Sequence, residues 1–351
     1  MKAKKGAILA LTLCMASQIL CACANQSGAA SDKIHIGVTY YNQSDTFLNG
    51  LLEGFRQELE TLKKDDLELT MTVRDAAGSQ RTQNDQVKEL IDAGCSVLCV
   101  NLVDRAEPSE IIDLARDNDV PIIFFNREPV AEDLMQWEKL YYVGAYAEQS
   151  GIMQGELAAE AIQSDDTIDR NKDGKIQYVV LEGEAGHQDA IIRTENAVDT
   201  LKNSGIELEK LSYQIANWNR AQAQNRMEQL VSQYHDEIEL VLANNDDMAL
   251  GAIDAYKKLN YTESTLPVFF GIDGTDVGLQ AIVDDDMWGS VYNDKEGQAE
   301  AMAKLAVAVI TGDGMNELDF EKERCIYLSY SKVTRENVED YIKYSGEGAA
   351  E

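Results

Sequence analysis

Six short apolar runs in this chain stop on residues that can exchange hydrogen bonds with a small polar ligand. IHIGVTYYNQSD runs to Asp45, PIIFFN to Asn126, IQYVVLEGEAGH to His187, LVLANN to Asn245, VFFGID to Asp273 and WGSVYN to Asn293. Two aromatics accompany them, Phe47 just past Asp45 and Trp218 in IANWNRAQ, and HQDAIIR adds Asp189 and Arg193 beside His187. That combination suits a sugar. A pyranose has two apolar C–H faces and an equatorial belt of hydroxyls, so rings can cover the faces while Asp, Asn, Arg and His bond the belt. Carboxylates hold hydroxyls well because each accepts two charge-assisted hydrogen bonds. Taken singly, each residue has a plainer role open to it. Asp or Asn after a strand caps the next helix, Phe47 fits a core, and Trp218 fits a loop anchor.

A second group has the spacing of a calcium loop. Asp169, Asn171, Asp173, Gly174 and Gln177 stand at positions one, three, five, six and nine, and Lys175 offers its carbonyl at seven. Position twelve is Val180, where a self-sufficient loop needs a bidentate Glu, so this loop cannot close its own coordination sphere. A plain Asx-rich turn is the alternative reading. Cys95 and Cys99, if both lie in one strand, are about 13 Å apart, too far to bridge. With Cys325 they read as small buried hydrophobes, not as a disulfide framework or a metal site.

The scaffold follows from the periodicity. Leu48, Leu51, Leu52, Phe55, Leu59 and Leu62 recur at helical spacing, and LELTMTVRDA reads as a strand. Further helices are predicted over 84–93, 109–118, 147–162, 190–203, 221–234, 248–259, 296–311 and 334–344. Strands are predicted at SVLCVNLV, PIIFFN, YYVGAY, 176–181, around Leu211, 240–243, 268–272 and CIYLSY. Apolar runs alternating with helices predict an α/β fold of two similar halves, each a parallel sheet with right-handed crossovers. Such sheets bind ligands at the carboxyl ends of their strands, which makes the six polar ends one pocket. Proline is sparse and no Pro/Ser-rich linker separates the halves, so several ordered crossings should join them as a hinged clamp.

The first residues carry Lys2, Lys4 and Lys5, an apolar stretch and then Leu20-Cys21-Ala22-Cys23. This predicts a signal peptide over 1–22 rather than a membrane span. Its end resembles the bacterial lipobox, which makes Cys23 a lipidated anchor on the extracytoplasmic face of the cell membrane, or in a periplasm, with residues 23–32 as a tether. A cleaved signal with a free secreted product is the alternative. Loss of the leader's three lysines takes the formal charge from -31 to -34. So acidic a surface argues against nucleic acid and anionic lipid as main partners.

IGVTYY with SDTF, PIIFFNREP, YYVGAY, DRNKDGKIQ, EGEAGHQDA, NWNRAQAQ, VLANNDDMALGA, FFGIDG and VYND, in that order, resemble the galactose/glucose-binding branch of the type I periplasmic binding proteins of sugar ABC transporters. The resemblance runs from about Ile34 to Tyr344. It implies two Rossmann-like lobes joined by three crossings: 33–143 with about 294–326, and 144–293 with about 327–345, followed by a tail at 346–351. It also implies a D-galactose or D-glucose ring between Phe47 and Trp218, with polar contacts from Asp45, Asn126, His187, Asp189, Arg193, Asn245, Asp273 and Asn293. The carboxylate missing from the calcium loop would come from Glu239 in HDEIELVLANN. Asp45 would accept from either C4 epimer. Two residues depart from the family pattern: Lys175 stands where glutamine is usual, and Gln188 where proline is common.

The resemblance implies a monomer that binds sugar and delivers it to a membrane permease. Presentation of the closed form to a chemoreceptor or sensor kinase, and a different aldose or glycoside as ligand, are alternatives. His187 with Asp189 could form an acid–base pair, but the chain has no GxSxG, Walker, HExxH or GxGxxG motif, and catalysis is not expected.

Overall fold

The computed structural model describes residues 32–346, apart from 65, 263, 264 and 323. The leader, Cys23 and residues 347–351 lie outside the described residues. The chain opens with β1 (Asp32–Tyr40), α1 (Thr46–Leu62), β2 (Leu67–Asp75), α2 (Gln80–Asp92), β3 (Val97–Val100), α3 (Ser109–Asp117), β4 (Ile122–Phe125), α4 (Ala131–Leu134) and β5 (Leu140–Ala145). It continues with α5 (Ala147–Ser164), β6 (Ile176–Glu182), α6 (Gln188–Asn203), β7 (Leu208–Ile215), α7 (Arg220–Tyr234), β8 (Leu240–Ala243), α8 (Asp246–Lys258), β9 (Val268–Phe270), α9 (Asp276–Val283) and β10 (Gly289–Asn293). The last elements are α10 (Lys295–Thr311), β11 (Cys325–Leu328), β12 (Tyr330–Thr334) and α11 (Val338–Gly346).

Two six-stranded sheets result, ordered β11-β5-β4-β3-β1-β2 and β12-β10-β9-β8-β6-β7. The first five strands of each half take the same places, which is the repeat of elements that the sequence pattern predicts. Among the described residues all pairings between strands are parallel except that of β10 with β12. Helices cover both faces of each sheet, so β3, β4 and β8 are buried along their whole length and read as unbroken apolar runs. On the first sheet α1 and α10 pack one face around Leu48, Leu51, Phe55 and Met302, all fully buried. Burial of each such side chain contributes about 1.5–3 kcal/mol.

The chain passes between the sheets after β5, after β10 and between β11 and β12. CIYLSY is therefore two strands, not one. Its Cys325–Leu328 half pairs with β5 in the first sheet and Tyr330–Thr334 pairs with β10 in the second. α2 begins one turn earlier than the apolar spacing predicts, because Ser79 caps it by accepting from Thr82 N at 3.2 Å. The short helices α4 and α9 were not predicted; α9 is capped by Thr275. Cys95, Cys99 and Cys325 are buried free thiols.

Candidate functional site

Where the carboxyl ends of the two sheets face each other, a cavity is lined by Tyr41, Asp45, Phe47, Asn126, Arg127, His187, Asp189, Arg193, Trp218, Asn245 and Asp273. The cavity is tight, with a volume of about 30 Å³. Nine of the ten residues picked from sequence are in that lining. Asn293 is the exception. It is buried, accepts from Gln298 Nε2 at 2.7 Å and hydrogen-bonds Asp273, so it acts on the cavity through that carboxylate.

The capping roles and a place in the cavity lining coexist. Asp45 caps α1, its Oδ1 accepting from Leu48 N at 2.9 Å, while Oδ2 accepts from Tyr41 Oη at 2.7 Å. Asn245 caps α8 through Met248 N at 3.0 Å and donates to the Trp218 carbonyl at 3.3 Å. His187 caps α6, its Nδ1 accepting from Asp189 N at 3.2 Å, which leaves Nε2 as the N–H donor of the neutral ring. Burial, reinforced by Arg127 and Arg193, pushes the His187 pKa down to about 2, so this ring is neutral at working pH.

Three lining residues hold backbone conformations that side chains rarely adopt: Asn126 at φ 59°, Trp218 at φ 60° and Asp273 at φ 112°. Such strain persists only where surrounding contacts over-determine it. Asn126 is held by Asn101 Nδ2 on its Oδ1 at 3.0 Å and by Tyr142 Oη on its carbonyl at 3.0 Å. The loop of Asp273 is tied down by the fully buried Asp246, which accepts from Thr275 N at 2.7 Å, Thr275 Oγ1 at 3.1 Å and Ser290 Oγ at 2.5 Å. The Trp218 indole meets His187 edge-on at 5.2 Å, and Arg193 lies 5.8 Å from its centroid.

The charges of the lining are desolvated. Burial raises the carboxyl pKa values of Asp189 and Asp273, and Arg193 opposes it in both. Arg193 donates to the Asn244 carbonyl at 2.7 Å and to Tyr330 Oη at 3.1 Å and sits 3.7 Å from Asp273, yet its buried Nε has no partner. A buried donor without an acceptor is costly, and a ligand oxygen would satisfy it. Tyr41 and Arg127 were missed from sequence. Arg127 stacks 3.6 Å above the Tyr41 ring and donates to Val103 O at 3.0 Å. The signal was present in PIIFFNREP: an Arg directly after a buried strand must find partners at that strand's end. Among the described residues, bonds that cross between the lobes include Thr46 Oγ1 to Asp247 Oδ2 at 2.7 Å, Arg127 Nη2 to Glu184 Oε1 at 3.1 Å and Lys295 Nζ to Asp276 Oδ1 at 3.0 Å.

The Asp169 loop lies at the opposite end of the second sheet, before β6. Asp169 Oδ2 accepts from Gly174 N at 3.0 Å, but its buried Oδ1 has no partner. Asn171 bonds Gln177 at 3.1 Å, and Gln177 bonds Asp173 at 3.0 Å. Glu239 does reach the loop, its carboxylate accepting from Arg170 N at 2.6 Å and Gln177 N at 3.2 Å. Lys175 turns its ammonium outwards to Glu209, at 3.5 Å. Among the described residues no three His, Cys, Asp or Glu converge on a common point. An oxygen set of carboxylates, side-chain amides and a carbonyl with one orphaned carboxylate oxygen nonetheless fits a hard cation.

A family model for the periplasmic binding protein domain matches residues 36–314. The chain belongs to that family. This periplasmic binding protein is 35% identical over 343 residues to the D-galactose/methyl-galactoside binding periplasmic protein of Haemophilus influenzae, covering 97% of this chain and 100% of the relative. It is 28% identical to the xylitol-binding protein of Mycolicibacterium smegmatis, over 93% of this chain and 84% of that one. Among solved structures, an ABC transporter solute binding protein from Bacillus halodurans with bound myo-inositol superposes with a TM-score of 0.73 at 28% identity, covering 89% of this chain and 98% of that chain. The class is that of extracytoplasmic binding proteins serving sugar ABC transporters, and its members bind solutes rather than transform them. No helix among the described residues is long and apolar enough to cross a membrane.

Proposed function

We propose that this periplasmic binding protein captures D-galactose or D-glucose in the interlobe cleft and delivers it, with the lobes closed, to an ABC transporter permease. The observation that carries this reading is the cavity lining: Phe47 and Trp218 beside the carboxylates of Asp45, Asp189 and Asp273, with an unpaired Arg193 Nε among them. The rings cover the C–H faces of the pyranose. Its hydroxyls donate to the desolvated carboxylates, and its oxygens accept from Arg193 and from the Nε2–H of His187. A sugar that lacks or inverts a hydroxyl leaves one of these buried groups unpaired and is rejected. The galactoside relative supports this ligand class. The membrane is reached through acyl chains on Cys23 alone, and Asp169, Asn171, Asp173, Lys175, Gln177 and Glu239 hold a structural calcium ion remote from the sugar.

Isothermal titration of the soluble chain beginning after Cys23, freed of copurified sugar, tests the ligand. D-galactose or D-glucose should bind one-to-one, with D-ribose, xylitol and myo-inositol weaker by at least ~100-fold. Preference for one of those three over both hexoses would overturn the assignment.

A further inference from the structure

Asn293 is the last residue of β10 in the second sheet, whereas Gln298 lies in the first turn of α10, which packs with α1 on the first sheet. Asp294 and Lys295 between them make the second of the three crossings. One side-chain bond spans that crossing, Gln298 Nε2 donating to Asn293 Oδ1 at 2.7 Å. On its other side Asn293 meets Asp273 twice, its backbone N–H donating to the Asp273 carbonyl at 3.0 Å and its side chain to the carboxylate. Asp273, Asn293 and Gln298 are all buried, so a cavity carboxylate is joined to a first-lobe helix through the protein interior.

An amide side chain has a donor end and an acceptor end, and its partners decide which way it faces. With the Gln298 donor on Oδ1, the Nδ2 of Asn293 turns to the Asp273 carboxylate. Reversed, the amide would set oxygen against oxygen there. The donation by Asn293, like the charge of Arg193, opposes the rise that burial gives the Asp273 pKa, and so favours the ionised form that accepts sugar hydroxyls. Gln298 keeps this orientation although its own buried Oε1 has no hydrogen-bond partner. Such an orphan is destabilising, and its presence in a native interior calls for a reason. Gln154, whose Oε1 is also orphaned, grips the strand ends beneath Asp273 from within the second lobe, donating to Ala243 O at 2.7 Å and Gly271 O at 3.1 Å. Gln298 acts from the first lobe instead.

We propose that Gln298 is a positioning residue for the sugar: it orients the Asn293 amide towards Asp273 across the second crossing, in the conformation of that crossing that brings the lobes together. This rests on the sugar reading of the cavity. Rotation of one lobe against the other changes the backbone dihedrals at the crossings, and with them the reach of Gln298 to Asn293. The set of the lobes and the readiness of Asp273 are thereby linked. A sugar bonded to Asp273 favours the crossing conformation in which Gln298 completes the line.

The test is titration of the soluble chain beginning after Cys23 with D-galactose and D-glucose, for the wild type, Gln298→Met, Gln298→Glu and Asn293→Ala, and for each Gln298 variant combined with Asn293→Ala. Melting curves establish that each variant is folded. Gln298→Met should weaken the better hexose at least ~3-fold on its own and less than ~1.5-fold in the Asn293→Ala background, because it acts through that amide. Gln298→Glu carries a pH signature. Its carboxyl can donate to Asn293 only while protonated, so affinity relative to the wild type should fall at least ~10-fold from about pH 5 to about pH 9, and should not do so once Asn293 is Ala. Equal losses in both backgrounds mean that Gln298 serves only the packing of α10, and overturn the proposal. A Gln298→Glu affinity ratio flat with pH overturns it too. Asn293→Ala with wild-type affinity does the same without any Gln298 variant having to fold. A wild type silent to both hexoses overturns the sugar reading itself, and this proposal with it.

Discussion

Trp218 is seated against Gly183: a Cβ on that glycine would lie 2.0 Å from the indole Cζ2. Gly183 directly follows β6, and its N–H donates to Asn244 Oδ1 at 3.1 Å, so the backbone cannot yield and the ring would have to. Gly183→Ala should therefore displace the indole and weaken sugar binding at least ~10-fold, a loss of about 1.4 kcal/mol or more. Trp218→Ala should nearly abolish binding while the chain still folds. Titration together with tryptophan fluorescence checks both; wild-type affinity in either variant would mean that the ring does not touch the ligand.

Thr46 and Asp247 are 201 residues apart and meet across the cleft. Burial raises the Asp247 pKa and the Thr46 bond counters it, so removing that donor leaves a partly buried carboxylate short of a partner. Thr46→Val should weaken sugar binding by about 0.5–1.5 kcal/mol, expressed mainly as faster release. Stopped-flow dissociation measures this. An unchanged off-rate would show that the bond does not stabilise the ligand-bound form.

The His187 pKa, lowered by burial from 6.5 to about 2, means that the unfolded chain binds more protons than the folded one between those values. The stabilisation linked to this residue is thus complete above about pH 6.5 and is lost as pH falls towards 2. The melting temperature of the wild type should fall more steeply between about pH 7 and pH 4 than that of His187→Gln. Parallel curves would mean that His187 titrates normally in the folded protein.

Calcium bound only by the native state should stabilise it by mass action, and chelation should lower the melting temperature by roughly 2–10 °C. Asp169→Asn, which alters the orphaned carboxylate, should make the melting temperature indifferent to calcium and leave sugar affinity within about twofold, because the loop lies at the far end of the sheet. If chelation has no effect on the wild type, the loop is an Asx-rich turn.

Much of the cleft was legible because strand ends are local. A run such as PIIFFN announces a doubly covered strand by its own composition, and in a parallel sheet its terminal Asn can only emerge on the ligand side. Spacing likewise marks the Asp169 loop as a calcium-loop candidate, since one, three, five, six, nine is a property of contiguous residues. The resemblance placed a lobe boundary inside CIYLSY, at about 326 and 327, but the pattern of the segment itself did not show one. Both halves are apolar enough for one strand, and only the positions of β5 and β10 decide that Leu328 and Tyr330 pair in different sheets.

By itself, then, the sequence determined the α/β alternation, the polar strand ends and the loop spacing, all of which depend on neighbours within one element. The tertiary structure alone decided that Tyr41 and Arg127 join the lining, that Asn293 acts through Asp273, and that Gly183 seats Trp218. Those are contacts between side chains brought together by three chain crossings. No local periodicity encodes the distance between two lobes, which is set by how their packed cores and crossings fit.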